Sequence, residues 1–381
     1  MTTGVVKPGS DLERRAWMRE GLVQSASKSF WNKYTGNTKD AIVFQAKNES
    51  AKSGHTVVFD FDGNLSGKAV KGKNTARGKG EQKRKFSDKL TVERYRLVVD
   101  NGDKFDGVNI GDLTINEHSD SRSKLSDLFV RFKDQALFDA AQGLLVTETD
   151  EAIQQPTHTI EFGADFGYDQ LIDLEVTLRT SRGFTKGGIR RPLVPFNMNE
   201  ENPVWLVILD SMTTAKLRKD QRWTSIVPVA DTRGSGNMAL SGQIKRIGAL
   251  LIQEAPLFFG ETAGDGAGWG LNDSKIEMSG LRQYDKTNDA WTGQAGFDYA
   301  SEIWSRNLVL GAGGLQIAFG KQPEYHWKSS DDFDITSESC LEVWMETRKT
   351  ILKQESGDAY KMAKVSDIDH GVIALDIKVS A

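Results

Sequence analysis

Apolar positions recur at two different periods along this chain of 381 residues, and each change of period marks an element. The clearest helical pattern runs from Ser119 to Leu145. Leu125, Leu128, Phe129, Phe132, Ala136, Ala140 and Leu144 recur three and four apart, one apolar stripe on a long helix. Ser119 or Asp120 can cap its start, and Gly143 falls near its end. A second helical stretch covers Tyr168 to Thr180 through Leu171, Ile172, Leu174 and Leu178. Val204 to Leu209 is an unbroken apolar run, a buried strand, after which Asp210-Ser211 opens a short helix through Leu217. Ile247 to Ile252 predicts a further strand. Gly371 to Val379 alternates at period two through Ile373, Leu375, Ile377 and Val379. Leu308 to Phe319 is apolar and broken by glycine, while Cys340 to Lys353 fits strand or helix equally. There is no internal repeat, and the mixture is α+β rather than a regular βαβ alternation.

The pattern becomes unusual between His55 and Asp100. Thr56 to Phe61 reads as one strand, closed by Asp62-Gly63-Asn64, and Phe86 to Val99 as a second, with Leu90, Val92, Tyr95, Leu97 and Val99 apolar. The connection, Ser66 to Lys85, holds four glycines and eight Lys or Arg residues against one acid, Glu81. Hairpin loops usually run about two to five residues, so this one is a functional loop or a disordered one. A two-stranded arm is marginal in water unless another surface covers it. Upstream, Asp11 can cap a short helix whose Leu12, Trp17 and Val23 also need a partner surface. The aromatic segment Phe30-Trp31-Asn32-Lys33-Tyr34 is either an anchor on another surface or a set of core aromatics at the entrance to the domain.

Composition narrows the class. The 49 basic and 53 acidic residues give a net charge of −4, so global charge predicts no nucleic-acid binding, although the charge is unevenly placed. The one cysteine, Cys340, allows no intrachain disulfide and reads as a small apolar filler. No apolar run reaches the roughly eighteen residues a membrane span needs, and Met1 to Ser10 has no hydrophobic signal region, which predicts synthesis in the cytoplasm without membrane attachment. Five histidines, His55, His118, His158, His326 and His370, stand apart without metal-type pairing, and neither a Gly-x-Ser-x-Gly elbow nor a phosphate loop is present. A second basic patch, Arg182, Lys186, Arg190 and Arg191, reads as a solvated loop. The glycines at 264, 266, 268 and 270 alternate one by one and fit no phosphate cradle; that segment, 260–291, has no assigned role.

Two chemical readings compete for the hairpin. Val57-Val58-Phe59-Asp60-Phe61-Asp62-Gly63-Asn64 resembles the first motif of haloacid-dehalogenase phosphotransferases. In that reading Asp60 is the nucleophile and Mg²⁺ ligand and Asp62 the general acid. However, Asn64 stands where that family has Thr, a basic loop and a strand follow where a helix is required, and Asp331-Asp332 follows no apolar strand. A strand ending in an Asp-Gly-Asn turn is the simpler account. The basic tip could instead neutralise nucleic-acid phosphates, but it has no aromatic for base stacking. An acidic surface on a neighbouring protein is an equal candidate.

The order of motifs along the chain resembles that of tailed-bacteriophage major capsid proteins, and more closely the N-four-type podophage capsid family. The matching pieces are Phe30 to Gly36, Gly54 to Phe59 with Asn64 to Gly67, Val70-Lys71-Gly72, Leu206 to Asp210, Leu217 to Asp220 with Trp223, Arg306 to Ala312 and Asp369 to Leu375. The resemblance implies the Hong Kong 97-type fold. On it, residues 1–29 are the N-terminal arm, 30–52 an entry segment, 53–105 the extended loop, and 106–203 the peripheral domain with its spine helix. Residues 204–300 become the axial domain and 301–381 the axial and peripheral return strands, the last of them rejoining the peripheral sheet. It also implies a structural subunit without cofactor or catalytic residues. The subunits would form pentamers and hexamers of a virion head around double-stranded DNA, assembled in the host cytoplasm with a portal and a separate scaffold or decoration protein. Lys71, Lys73, Arg77, Lys79, Lys83, Arg84, Lys85, Trp17 and Trp31 are the expected intersubunit contacts.

Overall fold

The computed structural model describes residues 29–38, 40–47, 54–62, 69–80, 85–103, 117–146, 151–153, 158–163, 165–180, 185–186, 189–190, 193–196, 203–223, 245–256, 281, 283–285, 290–291, 303–329, 336–352 and 368–378. Two sheets and one long helix organise them. In the six-stranded sheet, strand Thr336–Lys349 is the hub. Glu93–Asp103 lies antiparallel along one edge, pairing Met345 with Glu93 and Glu338 with Asp100. The other edge is shared by Glu324–Ser329 and Leu315–Phe319. Val43–Lys47 then runs parallel to Leu315–Phe319. The stretch from Cys340 that fits helix or strand on pattern alone is therefore strand, because both of its edges are hydrogen-bonded.

Alternation along these strands sorts side chains onto two faces. Val43, Leu315, Ile317, Val343 and Met345, with Tyr95, Leu97 and Val99, pack toward the long helix Glu117–Gln142. That helix contributes Leu125 and Phe129 of the predicted stripe, with Leu128 and Phe132 packed against the core, and also Leu137, Phe138 and Ala141, which the stripe did not include. Gly143 ends it with a φ of 93°, and its N–H donates to the carbonyls of Asp139 at 3.0 Å and Ala140 at 3.3 Å. A side chain there would be strained, so the glycine fixes the stop.

The eight-stranded sheet is centred on Ile303–Leu310. One edge carries Val372–Lys378 and then, parallel to it, Thr159–Phe162. The other carries Trp205–Leu209 and Gln283–Asp285. Leu250–Glu254 runs parallel beside Trp205–Leu209, with Lys245–Ile247 at the edge. One face of this sheet, through Leu206, Ile208, Leu308, Leu310 and Val372, joins the core under the long helix. The opposite face, through Trp205, Val207, Leu209, Val309, Ile373, Leu375 and Ile377, is covered by helices Tyr168–Thr180 and Ser211–Lys219.

Three sequence expectations change here. The final strand does not rejoin the peripheral sheet: Val372–Lys378 pairs with Ile303–Leu310, in the sheet that contains Trp205–Leu209. Residues 158–180, expected with the spine helix, belong to the same eight-stranded sheet and its helical cover. The strand expected over Phe86 to Val99 divides at Val92 into Lys85–Thr91 and Glu93–Asp103, with partners on different strands.

A buried ion pair locks the sheet to the long helix. Arg306 and Asp376 are opposite each other in register, and the guanidinium donates Nε to Oδ1 at 2.8 Å and Nη2 to Oδ2 at 2.9 Å. Its Nη1 donates to the carbonyl of Gln142, the last residue of the helix, at 3.3 Å. A second buried pair, Lys349 Nζ with Asp369 Oδ2 at 2.9 Å, ties the hub strand to Ile368–Asp369, just ahead of the final strand. Gly371 allows the bend between Ile368–Asp369 and Val372–Lys378. Its φ is 75°, and an added Cβ would stand 2.6 Å from the Cα of Gly314.

Candidate intersubunit loop

The hairpin pairs Thr56–Asp62 with Lys85–Thr91, from Thr56 opposite Thr91 to Asp62 opposite Lys85. Its root is built into the subunit. Phe59, Leu90 and Val92 are buried against Ala318 and Trp344, the face of the six-stranded sheet turned away from the long helix. The rings of Phe44 and Phe59 meet edge-on at 5.4 Å. Gly54 N–H donates to Val92 O at 2.8 Å and Val92 N–H returns to His55 O at 2.9 Å. Asp88 is 1% exposed, and its Oδ2 accepts the backbone N–H of Ile351 at 3.0 Å. Sequence reading passed over Asp88, although an acid at an inward position between Phe86 and Leu90 is the signal that could have found it.

A titratable group lies at the same junction. Tyr95 donates its hydroxyl to Glu346 Oε2 at 3.0 Å, and Thr347 N–H donates to Oε1 at 3.1 Å. Burial pushes the Glu346 carboxyl from 4.5 up to about 7, with Glu93 adding to the rise and these hydrogen bonds and Arg348 opposing it. The Tyr95 ring is 5.0 Å from Phe132 of the long helix, so this carboxyl sits where helix, sheet and hairpin root meet.

Beyond the root the hairpin leaves the body. Val58 on its outer face is 52% exposed, and every residue from Lys71 to Gly80 is exposed. Residues 69–80 include Lys71, Lys73, Arg77 and Lys79 and no acid. Gly72 and Gly78 take φ of 68° and 82°, Asn74 Nδ2 donates to Lys71 O at 3.0 Å, and Lys79 N–H donates to Ala76 O at 3.2 Å. These local bonds shape the tip as successive turns that hold four cations in solvent.

The remaining expected contacts separate. Trp17, Lys83 and Arg84 lie outside the described residues, and Lys85 is described only as a backbone partner of Asp62. Trp31 is a correction. It is 0% exposed, its ring 4.8 Å from Phe138, and its Nε1–H donates to Asp134 O at 3.3 Å. The Asp134 carboxylate accepts Ser29 Oγ–H and Phe30 N–H, each at 2.6 Å, so the aromatic segment is clamped to the subunit's own helix. Its side chain cannot face a neighbour. The core reading of Phe30, Trp31 and Tyr34 is the one the fold uses.

The rival chemistries find no support. Asp60 is exposed, opposite Ser87 on an antiparallel hairpin, where the phosphotransferase reading needs a strand that leads into a helix. Among the described residues no group of three His, Cys, Asp or Glu side chains is placed to hold a metal ion. Cys340 is half-buried, and burial, with Glu342 adding, pushes its thiol up, away from a reactive thiolate. Among the described residues no helix is long and apolar enough to cross a membrane. Of the second basic patch, Lys186 and Arg190 lie in the two-residue strands Thr185–Lys186 and Ile189–Arg190, while Arg182 and Arg191 lie outside the described residues.

A long helix on one sheet, a second sheet beneath a helical cover and a projecting hairpin are the parts of the Hong Kong 97-type fold. Similar solved structures include the capsid of Ralstonia phage GP4, with a TM-score of 0.63 at 15% identity, covering 93% of this chain and 92% of that one. The acidic stable capsid of Helicobacter pylori bacteriophage KHP30 matches with a TM-score of 0.64 at 14% identity, and the head structure of Helicobacter pylori bacteriophage KHP40 with 0.65 at 13%. Each of these two also covers 93% of this chain and 92% of its own. Residues 8–155 match the family described as phage capsid protein. Comparison with curated proteins returns no match. Family match and fold agree: residues 8–155 are similar to the phage capsid protein family, and the chain has the fold of these phage capsid structures.

Proposed function

We propose that this subunit builds an icosahedral head from pentamers and hexamers of itself, with double-stranded DNA against the inner face. A portal and a separate scaffold or decoration protein would complete the particle. The observation that carries the reading is the hairpin, whose root is buried in its own subunit while the described tip residues Lys71 to Gly80, with four cations and no acid, are all exposed. A tip of this kind gains its contacts from a neighbour's acidic surface, and closed symmetry repeats that contact around rings and then a shell. Lys83, Arg84 and Lys85 extend the basic run and would act with it, and Trp17 would anchor the N-terminal arm on a neighbour. Replacing Lys71, Lys73, Arg77 and Lys79 together by Glu tests the proposal. The subunit should keep its circular dichroism spectrum and fail to give uniform shells by negative-stain microscopy. Normal shells from that variant would remove the tip from the assembly contacts.

A further inference from the structure

The two helices that cover the eight-stranded sheet each leave one side uncovered, and the two uncovered sides are of opposite kinds. On Tyr168–Thr180, Leu171, Leu174 and Leu178 are buried, while Ile172 is 39% and Val176 50% exposed. These two lie one turn apart, about 6 Å along the axis, with Asp173 exposed beside them. On Ser211–Lys219, Thr213 and Leu217 are buried, while Met212 is 47% exposed and Ala215 and Lys219 are exposed on the same side. One stripe is apolar with an acid, the other apolar with a base. Among the described residues, neither Asp173 nor Lys219 has a side-chain ionic partner, although other charges on these elements do. Arg222 pairs with Asp169, Arg179 with Glu175, and Arg218 with Glu254.

We infer that the Ile172–Val176 stripe of one copy docks on the Met212–Ala215 stripe of another, with Asp173 pairing Lys219 across the contact. An antiparallel crossing sets Val176 against Met212 and brings Ile172 and Asp173 toward Ala215 and Lys219. Ala215 is small enough to let the axes approach to the usual helix-packing distance of about 8–10 Å. Exposed aliphatic side chains grouped on a helix of a soluble subunit mark a contact surface, and opposite charge at its edge fixes which surfaces meet. A second copy is the occupant because the same chain carries both complementary stripes.

This inference rests on the capsid reading, and a charge swap separates the two. Asp173→Lys alone and Lys219→Asp alone should each lower shell yield about tenfold by setting like charges together. Both changes in one chain should restore it, and the unfolding midpoint of the subunit should stay that of the parent in all three. Single variants that assemble as well as the parent would overturn the contact. Impaired single variants whose combination stays impaired would overturn the pairing and assign the stripes to other surfaces. A parent chain that forms no particles would instead overturn the capsid reading itself.

Discussion

The Arg306–Asp376 pair gives the sharpest quantitative expectation. Its side chains are 4% and 1% exposed, the guanidinium holds both carboxylate oxygens, and its third contact is the terminal carbonyl of the long helix. Asp376→Asn keeps the shape and removes the charge, leaving a guanidinium buried without its counter-ion. Breaking such a pair from one side costs about 3–5 kcal/mol, a large share of the roughly 5–15 kcal/mol that holds a typical domain. Replacing both partners by apolar residues of similar volume, Arg306→Met with Asp376→Leu, should recover most of the loss, because the intact pair gains little over good apolar packing once desolvation is counted. Urea unfolding of the unassembled subunit, followed by tryptophan fluorescence, measures both. An Asn variant within about 1 kcal/mol of the parent would refute the reasoning, since the charge would then be satisfied some other way. A double variant no better than the single would show that the helix-end contact, which the apolar pair also loses, carries the energy.

Other expectations follow from the same geometry. Phe59→Ala removes a buried ring from the hairpin root and should cost about 3–5 kcal/mol of its docking, read as faster proteolysis near residues 54–62 with the rest of the subunit protected. Gly371→Ala places a Cβ 2.6 Å from Gly314 at a φ of 75° and should lower the thermal unfolding midpoint by several degrees or abolish soluble expression; an unchanged midpoint would contradict it. Glu346 binds its proton more tightly folded than unfolded, so the stability it contributes is complete below pH 4.5 and disappears as pH rises through about 7. Glu346→Gln should therefore flatten that part of the stability profile, on the order of 3 kcal/mol for a shift of this size. An unaltered slope between pH 4.5 and 7 would count against it.

What the sequence made legible was what depends on local periodicity. The long helix was readable because six apolar residues from Leu125 to Ala140 at helical spacing leave one face to bury, and Gly143 needs a left-handed turn that few residues accept; Leu144, read as part of the same stripe, lies in the strand that follows. The final strand was readable as a strand, yet its place was not. Alternation assigns Ile373, Leu375 and Ile377 to one face and says nothing of which strand lies beside them. The informative residue was Asp376, an acid on the inward side of a buried strand, whose partner Arg306 lies seventy positions away. Val92 shows the same limit. It continues an apolar alternation in sequence, while in the fold it is the point where one partner strand gives way to another. Trp31 reads as exposed anchor or core with equal ease, because composition cannot say that Asp134 gathers Ser29 and Phe30 around it.

The hairpin was legible for the opposite reason: it fails the rules of a self-sufficient element. The connection from Ser66 to Lys85 runs twenty residues, and its eight cations have one acid among them. Such a segment gains little stability inside its own subunit. The fold answers half of that deficit at the root, where Phe59, Leu90, Val92 and the Asp88–Ile351 bond fix the direction in which the arm leaves. It leaves the other half open at the tip. On the proposed intersubunit role, a rigid root makes the tip's position a property of the subunit, so little conformational entropy would remain to be lost on contact with a neighbour. On the same proposal, the charge at the tip would set which surface is met and how quickly, rather than how tightly. Softening the root should therefore slow and blur assembly even when every basic residue at the tip is kept, and Phe59→Ala separates that effect from the charge reversal at the tip.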